Sequence, residues 1–146
     1  MGKEALFCYG TLQSPLVMKA VTGTAYDGTE ATLLDWARYR VEQTEYPGIR
    51  AEDGATVSGK LYWGVDEDAF IKLDAFEGDK YKRLIVPITL PDGTVQNAWA
   101  YAFKDEYLNL LSSDPWNFDR FMQNGLERFI NWFVEDRRDL FDRGDL

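Results

Sequence analysis

Glu77 ends the stretch Leu73-Asp74-Ala75-Phe76-Glu77-Gly78, and its place there invites proton chemistry. Asp66-Glu67-Asp68 make an acidic opening suited to the positive end of a helix dipole. Ala69, Phe70, Leu73 and Phe76 then recur at helical spacing. Gly78 is placed to close the helix in the left-handed conformation. A carboxylate at that end faces unpaired carbonyls, which disfavours ionisation and raises its pKa. A glutamate moved toward neutrality is useful as a proton shuttle. The plain alternative is a solvent-facing Glu that bears only the dipole penalty, about a few tenths of a kcal/mol.

A second candidate lies near the start. The apolar run Ala5-Leu6-Phe7-Cys8-Tyr9 reads as a buried strand, and Gly10-Thr11-Leu12-Gln13 follows it. Ser14 is a good N-cap, Pro15 suits the first helical position, and Gly23 ends the short helix. A strand, a glycine turn and a helix start present backbone N–H groups that can hold a carboxylate or phosphate. An ordinary strand-to-helix connection has the same spacing. One glycine is too few for a phosphate loop or a dinucleotide fingerprint.

Composition removes other chemistries. The chain has 146 residues and no histidine, so neither Ser-His-Asp nor Cys-His catalysis can be built, nor a histidine-ligated metal site. Its single cysteine excludes an internal disulfide and a four-cysteine metal site, and fits a reducing cytoplasm. Acid–base work falls to a carboxylate, Tyr or Lys. The formal charge of −9, without a basic cluster, argues against nucleic acid and against anionic membranes as partners. No signal-peptide pattern and no apolar run of spanning length is present, so the expected location is cytoplasmic. The length suits one domain over residues 1–146.

The elements that must position these residues read as α+β. Residues 24–44 suggest two strands joined through Asp35-Trp36-Ala37. Tyr46-Pro47-Gly48-Ile49 reads as a turn and Asp53-Gly54 as a hairpin. Strands follow over 57–65, 81–90 and 95–103, with Pro91-Asp92-Gly93 turning between the last two. In the last strand Ala98, Ala100 and Ala102 share one face, and Trp99, Tyr101 and Phe103 the other, as a tightly closed sheet requires. Residues 104–116 read as a loop. A covering helix is expected from about Asn117 to Phe141, its stripe running from Phe118, Phe121 and Met122 through Leu126, Phe129, Ile130, Phe133 and Val134. Gly125 inside it marks close packing, and 135–146 is expected to fray.

Taken in order, Phe7-Cys8-Tyr9-Gly10-Thr11-Leu12, Tyr46-Pro47-Gly48-Ile49, Val57-Ser58-Gly59-Lys60-Leu61-Tyr62 and Leu73-Asp74-Ala75-Phe76-Glu77-Gly78, with Tyr81 and Arg83 beyond, resemble the gamma-glutamylcyclotransferase-like superfamily. The likeness is to the small branch that includes gamma-glutamylamine cyclotransferase and the plant avirulence-induced proteins. It spans residues 5 to about 103, and Asp114-Pro115-Trp116-Asn117-Phe118 adds a likeness to the plant members. The resemblance implies a small mixed β-barrel flanked by helices. It implies a small-molecule gamma-glutamyl substrate, release of 5-oxoproline, Glu77 as general acid and base, and N–H groups of Gly10, Thr11 and Leu12 on the substrate's α-carboxylate. No metal, nucleophile or cofactor is needed for an intramolecular ring closure.

Tyr9 and Tyr81 then become substrate contacts or plain barrel aromatics. Arg83 either meets a substrate carboxylate or pairs with Asp74 or Glu77. Cys8 reads as a buried strand residue, since no histidine can activate it. Trp116 either closes the pocket or packs the last helix. The rival readings are a carboxylate-binding domain without turnover, and a different acyl or amine transfer in the same pocket.

Overall fold

The computed structural model describes residues 4–44, 46–128 and 131. Six strands are present: β1 (Glu4–Cys8), β2 (Gly28–Val41), β3 (Pro47–Val65), β4 (Tyr81–Thr89), β5 (Val95–Phe103) and β6 (Leu111–Pro115). Three helices join them: α1 (Pro15–Thr22), α2 (Glu67–Glu77) and α3 (Phe118–Asn124). The strands run in the order β3-β1-β5-β4-β2-β6, and β3 also pairs with β2. That extra pairing closes five strands into a barrel and leaves β6 as an appendage on β2. The barrel is mixed, because β1 and β5 are parallel while their neighbours are antiparallel.

The strand pleat divides the core in two. Phe7, Leu33, Ile49, Leu61 and Ile88 fill the inside with Ala98, Ala100 and Ala102. The expected small face of β5 is thus the inner face, where methyl groups let the strands close. The alternate residues Leu6, Cys8, Tyr62 and Tyr101 point outward under α1 and α2. Val17, Met18, Val21, Phe70 and Leu73 come from those helices to cover them. Leu73 is fully buried, so its truncation to Ala removes about 2–5 kcal/mol.

The helix starts follow the sequence. Ser14 Oγ accepts from the Val17 N–H at 3.4 Å, and Asp66 Oδ1 from the Ala69 N–H at 2.9 Å. Gly23 closes α1 at φ 81°, in the left-handed region.

Four local expectations change. The two strands expected over 24–44 are one long strand, β2, bent where its pairing with β3 shifts between Leu34 and Trp36. Asp53-Gly54 is no hairpin. Gly54 sits opposite that bend at φ 82°, and its N–H donates to Asp35 Oδ1 at 3.0 Å. A bulge and a hairpin both ask for positive φ, so a local Asp-Gly cannot tell them apart. The chain reverses before Pro47, which already belongs to β3, rather than across Tyr46–Ile49. Residues 104–116 hold a 3-10 turn (Asp105–Leu110) and β6, which pairs through Val41↔Leu111 and Tyr39↔Pro115. Its Leu-Ser-Ser-Asp-Pro sequence carries no strand period, and the edge of β2 at Tyr39–Val41 supplies the template.

The last helix also differs. Asn117 Oδ1 caps α3 by accepting from the Arg120 N–H at 2.8 Å, but α3 stops at Asn124. Buried Gly125 makes a turn before helical residues 126–128. Phe121 is buried, whereas Met122 faces solvent. Phe129, Ile130, Phe133, Val134 and the expected fraying over 135–146 lie outside the described residues.

Candidate active site

The cavity between barrel and helices is built from both candidate stretches. β1 leads Phe7, Cys8 and Tyr9 to its edge, and the 3-10 turn Thr11–Gln13 follows through Gly10. Gly10 is required by closeness: a Cβ there would lie 2.7 Å from Pro47 Cγ. The turn is tied from within. Gln13 Nε2 donates to the Tyr9 carbonyl at 2.9 Å, and Tyr62 Oη donates to the Leu12 carbonyl at 2.8 Å. A first helical turn leaves its own N–H groups without partners inside the turn, so these remain available to a ligand.

α2 brings Glu77 to the opposite side. Gly78 adopts φ 85° and ψ −167°, not the left-handed helical conformation expected of it. This mirror-extended region is open essentially to glycine alone. It sends the chain sharply from Glu77 into β4, three residues before Tyr81.

The resulting cavity encloses about 290 Å³. Its walls are Phe7 and Cys8 from β1, Tyr9 just after it, and Gly10, Thr11 and Leu12 from the turn. Pro47 starts β3 and Tyr46 precedes it, Phe76 and Glu77 come from α2, Tyr81 from β4 and Tyr101 from β5. Glu77 is the one carboxyl among the described lining residues. The residue is half-buried, and the surface it keeps belongs to the cavity wall. Burial, and secondarily the charge of Asp74, push its pKa up to about 8. The rise follows the sequence argument in direction but not in cause: loss of solvent, not the helix end, comes first.

The tyrosine hydroxyls are committed to the scaffold. Tyr9 Oη donates to the Tyr101 carbonyl, Tyr81 Oη to the Pro47 carbonyl at 2.8 Å, and Tyr101 Oη to Asp74 Oδ1 at 2.6 Å. Their rings form walls, and their oxygens keep lone pairs for a donor. Burial holds the Tyr9, Tyr81 and Tyr101 hydroxyls protonated. Cys8 is a free, buried thiol whose pKa is raised first by burial and then by Glu77.

Six of the seven residues singled out in the sequence therefore share one cavity: Tyr9, Gly10, Thr11, Leu12, Glu77 and Tyr81. Arg83 does not join them. Its Nε and Nη2 meet the two Asp74 carboxylate oxygens at 3.0 and 3.2 Å. Its guanidinium lies 4.4 Å from the Phe70 ring centre and 4.5 Å from that of Trp99. Trp116 is buried beside Phe118 and Phe121 and packs α3 rather than closing the cavity. Sequence reasoning gave no cavity role to Phe76 or Tyr101. The large face of β5 was the available signal for Tyr101, but nothing local says which part of that face stays open.

Among the described residues no group of three or more His, Cys, Asp or Glu side chains is placed to hold a metal. No described helix is long and apolar enough to cross a membrane.

A closed five-stranded mixed barrel with an added strand, helices on its flank and a cavity between them is the gamma-glutamyl cyclotransferase-like fold. The chain belongs to the family described as "Gamma-glutamyl cyclotransferase, AIG2-like", whose profile matches residues 6–118. It is 31% identical to AIG2-like protein C of Arabidopsis thaliana over 148 residues, covering 94% of this chain and 83% of that one. A solution structure of an Arabidopsis thaliana protein superposes with a TM-score of 0.69 at 26% identity, covering 94% of this chain and 93% of that one. A solved structure titled "Gamma-glutamyl cyclotransferase" superposes with a TM-score of 0.62 at 19% identity, covering 70% and 67%, a likeness of fold.

Proposed function

We propose that this protein is a gamma-glutamyl cyclotransferase that releases 5-oxoproline from a small gamma-glutamyl compound. The observation that carries the reading is the one carboxyl among the described lining residues of a 290 Å³ cavity, facing a turn of backbone amides across it. The turn N–H groups of Gly10, Thr11 and Leu12 hold the substrate's α-carboxylate. Glu77 meets the α-ammonium. Before substrate arrives Glu77 holds a proton through much of the neutral range; the substrate ammonium beside it favours the charged form, and that proton is released to solvent. The carboxylate then takes one proton from the ammonium. The freed amine attacks the γ-carbonyl carbon, a new C–N bond closes the five-membered ring, and the bond to the departing amine breaks. Glu77 returns its proton to that nitrogen, and the second proton shed by the ring nitrogen follows through the same carboxylate, so the amine leaves as an ammonium.

The protein's contribution is chiefly positional. The substrate already tethers amine to carbonyl, so what the protein adds is restriction of that tether to the folded, reactive conformer. A carboxyl with a pKa near the working pH adds roughly 10²–10⁴-fold. Tyr9 and Tyr81 are cavity walls whose rings shape the substrate. Neither a metal nor a nucleophile takes part in these steps.

The test is turnover of a panel of gamma-glutamyl amines and peptides, with 5-oxoproline identified by mass spectrometry. Glu77→Gln keeps shape and removes the proton carrier, so release falls by at least about 10²-fold with the fold intact. Undiminished release by the variant overturns the assignment of Glu77. Ligand binding without turnover in the wild type favours a carboxylate-binding domain instead.

A further inference from the structure

The turn that faces the cavity is held from behind by a cation. Arg38, on β2, reaches across the barrel end with Nη1 2.7 Å from the Tyr9 carbonyl oxygen and 2.9 Å from the Ser58 carbonyl oxygen. Its guanidinium also lies 5.5 Å from the centre of the buried Trp116 ring. The other described arginine ion pairs are Arg40–Asp114, Arg50–Glu52 and Arg83–Asp74, and no described carboxylate pairs with Arg38. An arginine stays protonated at any working pH, so among the described residues Arg38 is a cation without an ion pair.

The peptide that Arg38 grips is the one that enters the ligand-binding turn. Among the described residues every peptide bond is trans. In a trans peptide the C=O and the following N–H lie on opposite edges of one plane. A donor fixed to the Tyr9 carbonyl therefore fixes the direction of the Gly10 N–H, and Gly10 lines the cavity. Gln13 Nε2 grips the same carbonyl from a second direction at 2.9 Å. A cationic donor also polarises the peptide it bonds, which makes the far N–H a stronger donor.

We infer that Arg38 is the positioning residue of the α-carboxylate subsite: it orients and polarises the Tyr9–Gly10 peptide and sets a positive charge behind the turn, so that the cavity selects an anionic over a neutral α-substituent. This rests on the proposed cyclotransferase reading. The role is distinct from that of Glu77, which handles the amine. Loss of Arg38 weakens recognition of the carboxylate and leaves the proton transfers in place. In turnover it appears as a raised KM with little change in kcat.

The experiment compares binding of 5-oxoproline with that of 5-oxoprolinamide, its neutral carboxamide, by calorimetry on the full chain. The wild type is expected to prefer the carboxylate, and Arg38→Gln to lose about tenfold in affinity for 5-oxoproline, the size of one charge-assisted hydrogen bond. Affinity for the carboxamide is expected to change much less, so the preference collapses. Arg38→Lys keeps a charged nitrogen able to reach both carbonyls and recovers most of the preference, which separates the effect from general loosening. Because the readout is a ratio of two ligands, it holds for whatever fraction of a variant folds. A wild type that prefers the carboxylate, with an Arg38→Gln chain that prefers it equally, overturns the role of Arg38 alone. A parallel loss of both ligands in Arg38→Gln, unrescued by Arg38→Lys, also overturns it. A wild type that binds neither and releases no 5-oxoproline overturns the proposed function itself.

Discussion

Asp74 and Glu77 stand one turn apart on α2, yet they meet opposite surroundings. Asp74 is taken up by Arg83 and by the Tyr101 hydroxyl, while Glu77 lines the cavity and feels Asp74 only as a nearby negative charge. One helix thus carries a neutralised carboxylate and a poised one. Arg83, which the sequence left between a substrate carboxylate and pairing with Asp74 or Glu77, serves the first of them.

That arrangement makes the pH dependence of activity depend on a residue outside the cavity. The acidic limb of kcat/KM is expected to follow ionisation of Glu77 near pH 8. Replacing Arg83 by Met uncovers the charge of Asp74 and moves that limb to higher pH, whereas Asp74→Asn moves it to lower pH. Rate profiles of the three chains between pH 5 and 10 check this, and equal midpoints refute it.

Stability is expected to fall as pH rises through the same region. An unfolded glutamate titrates near 4.5, and Glu77 in the folded chain near 8. Between these values the folded state holds one proton more than the unfolded state, so raising the pH favours unfolding. The loss between pH 5 and 8 is on the order of 3 kcal/mol. Glu77→Gln has no proton to lose there, so it is more stable than the wild type above pH 8. Urea melts at three pH values decide the matter.

Gly59 is expected to tolerate no side chain. A Cβ at this position would collide with the Cys8 carbonyl oxygen and would lie 2.7 Å from Phe7 Cζ. Neither the ladder backbone nor a fully buried ring can yield cheaply. Gly59→Ala is expected to lose about 2–3 kcal/mol and to lower Tm by roughly 5–10 °C. Gly54→Ala lengthens a side chain into open space and loses mainly through its positive φ, so its loss is smaller. Calorimetry on both variants separates steric from conformational effects.

The Cys8 thiol is expected to be inert in the folded chain although it borders the cavity. Burial and the neighbouring Glu77 both hold it protonated. A thiol-specific reagent therefore labels it only as fast as the chain opens, and at once in denaturant. Rapid labelling of the native chain contradicts this.

Much of the scaffold was legible along the chain. Ser14 acts over three residues, so its cap read correctly, and the acidic opening at Asp66 and the helix start at Asn117 were equally local signals. The alternation of Ala98, Ala100 and Ala102 with Trp99, Tyr101 and Phe103 reported the inside and outside of β5, because a pleat has a strict period. Asp53-Gly54 misled, since it satisfies a bulge as readily as a turn. β6 was invisible, since it exists only because β2 overhangs the barrel.

Residue types and short spacings decided which chemistry was open to this protein: without histidine and with one cysteine, acid–base work was left to a carboxylate, Tyr or Lys, and a helix stop placed a glutamate at a chain reversal. Partners distant in sequence were settled by tertiary structure alone. It assigned Arg83 to Asp74, set Arg38 behind the Tyr9 carbonyl, and raised the Glu77 pKa by enclosure rather than by its helix end. Desolvation and long-range pairing depend on where other strands arrive, and no local stretch of sequence contains that information.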